Sequence, residues 1–212
     1  MKTTEMRILS KPKLNDAVFI LAPSDQYGIN KMIVNVLIDH MRAEKFAELY
    51  SPHFPDCVIA EETGLCHLPR YDLYKSTIFK PNIVLMTGDI GPSHDDGPAH
   101  YEVLNCLFNS AKDWGCRRFL SLGVFVSDKA EDRIYVSATS RSLVSSITGK
   151  LGGKPLTMGR IDGLTGMTLG LARLHGFPAI CILGMPENNN YPDDLAQEIF
   201  HFVLDVLSFK TR

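Results

Sequence analysis

A chain of 212 residues that is 45% hydrophobic, 22% charged and 9% aromatic is long enough to bury one sizeable core and sits in the ordinary globular range, which excludes disordered, collagenous and repeat architectures. With a formal net charge of −2 and no window that gathers basic residues around aromatics, nucleic acid is not an expected partner. The longest apolar windows, 17–23 and 178–186, fall well short of the ~20 residues a membrane helix needs, and Met1-Lys2-Thr3-Thr4-Glu5 carries no apolar signal core, so no membrane contact and a cytoplasmic location are expected.

After a short polar lead, Ala17-Val18-Phe19-Ile20-Leu21-Ala22 is the continuous apolar run of a strand buried on both faces. The loop Pro23-Ser24-Asp25-Gln26-Tyr27-Gly28 follows, and Ile29, Met32, Ile33, Val36, Leu37 and Met41 then recur at helical spacing. From 45 to 76 the period falls towards two. Runs at 46–50, 57–60, 65–68 and 71–75, broken by Pro52, Pro55, Gly64 and Pro69, predict a meander of short strands.

Residues 83–87 are the next buried strand, and Leu104, Leu107, Phe108, Ala111 and Trp114 mark a helix that Gly115 ends in a left-handed conformation. Strands are expected at 118–123 and 133–138, separated by a polar turn at 127–132, with a short helix along Leu143, Val144, Ile147 and Leu151. Residues 164–175 are apolar on almost every side, which predicts a buried helix, and 179–183 form a last central strand. Residues 191–209 close the chain as a helix with Pro192 in its first turn and Asp193 and Asp194 at its positive end. The alternation predicts one α/β domain over 1–212, its core about 17–208, built as a three-layer α/β sandwich around a mixed central sheet.

Cys57, Cys66, Cys106, Cys116 and Cys181 are odd in number and never two residues apart, and they read as reduced core residues acting as small hydrophobes.

Chemistry-bearing residues concentrate in the loop from Thr87 to His100, "TGDIGPSHDDGPAH". Asp89, Ser93, His94 and Asp95 lie at the carboxyl end of a strand, where open α/β sheets bind ligands. The spacing of His94 and His100 is too loose to diagnose a metal site, and helix-start chemistry explains the rest: Asp95 and Asp96 near the first turn, Gly97 as N-cap and Pro98 as first helical residue. Neither a metal nor a cofactor is expected. Gly163-Leu164-Thr165-Gly166 opens the 164–175 helix, where free backbone N–H groups suit an anion, although Gly166 and Gly170 one turn apart more often let a helix approach a sheet. Glu187 and Asn188, after another central strand, complete a candidate polar cleft with Asp25, Asp89 and Thr165, or form a solvated turn.

In order along the chain, "AELYSPHFPDCVIAEETGLCHLPRYDLY", "NIVLMTGD", "LFNSAKDWGCRRFLSLG", "GLTGMTLGLARLHGFPAICILG" and "YPDDLAQEIFHFVLDVL" give a series that resembles the proteasome assembly chaperone family of the second-subunit type. The resemblance runs over roughly residues 17 to 208. It implies a core similar to purine nucleoside phosphorylase-like folds, self-association, and binding of proteasome α subunits. Two departures stand out. Relatives often carry a glycine-rich loop after the first strand, where this chain has only Gly28, and archaeal members can end in a hydrophobic-Tyr-any tail where this sequence reads Phe209-Lys210-Thr211-Arg212.

The expectation is therefore a non-enzymatic, protein-binding homo-oligomer that recognises its partner through a folded surface. The closing helix adds to the case for self-association, since its apolar residues cover more than one stripe. The alternative is a small-molecule enzyme of the nucleoside phosphorylase or hydrolase type, with Asp89, His94 and Glu187 in a cleft at the strand ends.

Overall fold

The computed structural model describes residues 1–125, 131–157, 159–186 and 192–208. Its elements run β1 (Glu5–Ile8), β2 (Ala17–Leu21), α1 (Ile29–His40), β3 (Glu44–Tyr50), β4 (Ile59–Ala60), β5 (Cys66–His67), β6 (Tyr71–Ser76) and β7 (Ile83–Gly88), then α2 (Gly97–Asp113), β8 (Cys116–Val124), β9 (Ile134–Ala138), α3 (Arg141–Leu151), β10 (Lys154–Pro155), α4 (Gly163–Leu174), β11 (Ala179–Gly184) and α5 (Pro192–Ser208).

Among the described residues, nine strands form one sheet in the order β1-β3-β6-β7-β2-β8-β11-β9-β10. Its centre, β7-β2-β8-β11, is parallel. The β1-β3-β6-β7 side is antiparallel, and β9 runs antiparallel to β11. The sheet is mixed, as expected. In β2, Phe19 and Leu21 join a core with α2 and α4, while Val18 and Ile20 join a second core with α1, α3 and α5. Two cores on opposite faces make three layers, and they explain why β2 is apolar at every position.

Several sequence expectations change. β1 lies in the supposed polar lead; it is an edge strand paired only to β3, and its largely exposed residues give no burial pattern to read. The runs at 57–60 and 65–68 shrink to two-residue strands in a separate ribbon, β4-β5. Cys66 on that ribbon and Cys57 just before it are exposed, contrary to the core reading. Cys116 and Cys181 are buried as expected, and burial pushes both thiols up to about 12.

Helix α4 is not buried all round, since Leu174 is 78% exposed. On α1 the buried set is Ile29, Asn30, Ile33, Val34 and Leu37 rather than one that includes Val36. The broad apolar surface of α5 has an internal explanation: α5 packs on β11 and against both α1 and α3, and Phe200, Leu204 and Leu207 pack against the core those elements share within the same protomer. A helix that touches helices on its flanks needs more than a sheet-facing stripe. The breadth of α5 is therefore no argument for self-association. Phe209 and the residues after it lie outside the described residues.

Candidate functional site

Because β2, β7, β8 and β11 are parallel, their carboxyl ends open on the same edge of the sheet. The loops after β2 and β7, with the segment entering α4, line an open cleft there of about 630 Å³. A neighbouring hollow of about 340 Å³ shares Asp25, His94, Asp162 and Thr165 with it and reaches the ends of β8 and β11. Of the residues anticipated from sequence, Asp25, Asp89, Ser93, His94, Asp95, Gly163 and Thr165 line this cleft. Glu187 and Asn188 lie outside the described residues, as does most of the turn expected at 127–132.

Gly166 is not among the lining residues; it packs against the Ile161 carbonyl with no room for a side chain, and Gly170 faces open space. The close approach of α4 to the sheet is made instead by Gly123 on β8, where a Cβ would stand 2.8 Å from Thr165 Cγ2. Thr165 Oγ1 donates to the Leu122 carbonyl at 3.2 Å, which fastens the head of α4 to the sheet. The glycine that matters is thus on the strand, out of register with any helical pattern.

Much of the polar chemistry in the cleft wall is committed to the backbone. Asp25 accepts from the amides of Tyr27 at 2.8 Å, Ile29 at 3.3 Å and Asn30 at 2.7 Å, and so caps the start of α1 across the left-handed Gly28 (φ 71°). Asp96, not Gly97, is the N-cap of α2: its Oδ1 accepts from Ala99 N at 3.0 Å, with Pro98 in the first turn. A carboxylate satisfies a first-turn donor that glycine leaves to water, which is why the acidic residue takes the position. Asp96 Oδ2 also lies 3.6 Å from His53 Nδ1, and His53 Nε2 is 3.0 Å from Glu102 Oε2. Hydrogen bonds from His53 and Thr4 hold the Glu102 carboxyl at about 2.

The burial of two polar groups was not legible in the sequence. Asn30, 1% exposed, ties the β2–α1 loop to β8 through its Nδ2. His100, on the first turn of α2, is only 4% exposed, and no hydrogen bond engages its ring. A Cβ built on Gly163 would lie 3.6 Å from His94 Nδ1 and 4.0 Å from His100 Nε2, so two imidazoles converge on the head of α4. Burial lowers the affinity of His100 for a proton and His94 adds to the effect, while Asp96 opposes it. Tyr71, fully buried beneath Gly88 and Gly91, reaches the cleft wall with an unpartnered hydroxyl whose ionisation is pushed well up by burial.

Among the described residues no hydroxyl or thiol is hydrogen-bonded to an imidazole ring, and no group of three or more His, Cys, Asp and Glu side chains is arranged to hold a metal ion. No described helix is long and apolar enough to cross a membrane.

The model of the PAC2 family matches residues 29–211. This chain belongs to the PAC2 family. PbaB of Pyrococcus furiosus, described as an archaeal proteasome activator, superposes with a TM-score of 0.89 over 100% of this PAC2 chain and 92% of its own, at 24% identity. PbaA of the same organism, an archaeal homolog of proteasome-assembly chaperone, gives 0.78 over 100% and 84%, at 19% identity. A proteasome-assembly chaperone homologue of Mycobacterium tuberculosis gives 0.70 over 92% and 87%, at 15% identity. At these identities the likeness establishes the fold. An uncharacterized protein of Methanocaldococcus jannaschii is 25% identical over 160 residues, 74% of this PAC2 chain, which spans only 60% of that relative's length.

Proposed function

We propose that this PAC2 protein is a non-enzymatic chaperone that self-associates and binds proteasome α subunits through its folded surface. The observation that carries the reading is the agreement of its whole fold with a proteasome activator, at a TM-score of 0.89 with all of this chain covered. The surface is consistent with partner binding. On and beside the β4-β5 ribbon, Val58, Leu65 and Leu68 are 60%, 68% and 53% exposed, a concentration of apolar side chains at one element that suits a protein contact.

Two measurements test this. Light scattering at micromolar concentration is expected to show a closed oligomer rather than a 23.6 kDa species. Calorimetry against α subunits of the same organism is expected to show saturable binding that Leu65→Ser with Leu68→Ser weakens and that removal of residues 209–212 leaves nearly unchanged. No heat with either form removes the proteasome role, and loss of binding on truncation shows that the terminus, not the folded surface, carries recognition.

A further inference from the structure

Helix α4 begins without the capping that α1, α2 and α3 receive. Asp162 holds the N-cap position with extended backbone (φ −87°, ψ 167°), but its side chain caps nothing, and no acidic residue occupies the first turn. Its carboxylate turns instead to Arg160 Nε at 2.7 Å. The amides of Gly163, Leu164 and Thr165 are left without a side-chain acceptor at the positive end of a twelve-residue helix.

An independent feature faces the same point. His100 is 4% exposed and its ring has no hydrogen-bond partner, yet its Nε2 comes within 4.0 Å of the Cβ position of Gly163, with His94 Nδ1 at 3.6 Å from the same point. The His100 ring lines the cleft and bonds no other protein group, so the donor it offers is open to a ligand there. The surrounding carboxylates are largely committed: Asp25 and Asp96 cap helices, Asp162 pairs with Arg160, and Asp89 lies 3.7 Å from His67. Only Asp95, exposed at the rim, has no such partner.

We propose that the head of α4, together with His94 and His100, binds an oxyanion, the phosphate or carboxylate end of a small molecule whose remainder occupies the adjoining cleft. The backbone donors and the helix terminus supply the attraction for negative charge, and the two imidazoles each contribute one N–H without requiring a fixed positive charge. The cleft, at about 630 Å³, has the capacity of pockets that hold whole metabolites, roughly 300–1,000 Å³, so the anion is one end of a ligand rather than the whole of it. The exposed apolar residues of the ribbon, Val58, Leu65 and Leu68, do not line this cleft, and the proposal does not depend on any proteasome partner.

The test uses the full chain, isotope-labelled, titrated at constant ionic strength with sulfate as the tetrahedral probe and acetate as the planar one, chloride serving as the reference. The expected result is saturable movement of the Gly163, Leu164 and Thr165 amide resonances and of the His94 and His100 ring signals. Sulfate alone identifies the phosphate class, acetate alone the carboxylate class, and either supports the site. His94→Gln, a change at an exposed position that does not threaten folding, is expected to weaken binding about tenfold. His100→Gln is expected to weaken it at least as much, and if that variant fails to fold, His94→Gln decides alone. Linear drift without saturation, movement confined to other amides, or affinity unchanged in His94→Gln overturns the proposal.

Discussion

Asn30 at the head of α1 donates through Nδ2 to the carbonyl oxygen of Leu122 on β8, 3.3 Å away across 92 residues of chain, and to the carbonyl of Pro23 at 2.8 Å. One buried amide thus fixes the β2–α1 loop, a wall of the cleft, to the central sheet. Its Oδ1 is buried without a partner, so the donor half of the group carries its structural value. Asn30→Ala is expected to cost about 1–3 kcal/mol in urea unfolding, since two carbonyls lose their donor. Asn30→Asp is expected to cost more at neutral pH, because it presents a buried carboxylate to two carbonyl oxygens. Equal losses for the two variants would refute the donor role.

Gly123 and Thr165 set the distance between α4 and the sheet. Adding a methyl group at 123 places it 2.8 Å from Thr165 Cγ2 and 3.0 Å from Leu183 Cδ2, so Gly123→Ala is expected to destabilise by about 1–3 kcal/mol. Thr165→Ser removes the nearer methyl while retaining the hydroxyl that binds the Leu122 carbonyl. The double variant is expected to recover much of the loss, with a coupling of about 0.5–1.5 kcal/mol in a thermodynamic cycle. Strict additivity contradicts the contact.

The two neighbouring acids before α2 have unequal roles. Asp96→Ala removes the acceptor for Ala99 N and is expected to cost about 1 kcal/mol. Asp95→Ala, at an exposed residue that does not cap α2, is expected to change stability by less than about 0.5 kcal/mol. Thermal unfolding of both variants ranks them, and a larger effect at 95 reverses the assignment.

Acid acts on two groups with the same sign. Glu102 is held at about 2, below its ordinary 4.5, by His53 and Thr4, so its contribution is complete above 4.5 and is lost as pH falls towards 2. The His100 proton affinity is lowered by burial and by His94. The unfolded chain therefore takes up this proton first, and stability drops as pH falls below the ordinary histidine value of 6.5. Glu102→Gln is expected to flatten the lower part of the pH–stability curve and His100→Gln the upper part. The Glu102 effect is small in size, because that side chain is 39% exposed and solvent screens it. A wild-type curve that is level from pH 7 to 5 contradicts the His100 assignment.

Local pattern carried the layers of this fold. The unbroken apolar runs of β2, β7 and β11 specify strands covered on both faces, and Gly115 at φ 80° ends α2 as its sequence position implies. Seven of the anticipated site residues, from Asp25 to Thr165, do share one cleft. For the five on the loops after β2 and β7 that outcome follows from strand ends, because a parallel sheet brings the loops after successive strands to the same edge whatever their sequence, while Gly163 and Thr165 arrive on the head of α4.

The assignment of roles within the cleft was not legible. Asp25 and Asp96 carry the composition of a binding site, yet both carboxylates are spent on helix amides. His100 shows no signal in sequence that separates it from an exposed helical histidine, and it acquires its character only because α2 buries it opposite Gly163 on a helix 63 positions later in the chain. Similarly, the apolar excess of α5 suggests a second subunit until α1 and α3 are seen on its flanks. Hydrophobic period and turn chemistry are local, so the sequence by itself determined which segments are strands and helices and which faces they bury. Whether a polar group is partnered, and whether an apolar stripe is already covered, depends on contacts between segments far apart in the chain, and those only the tertiary structure decided.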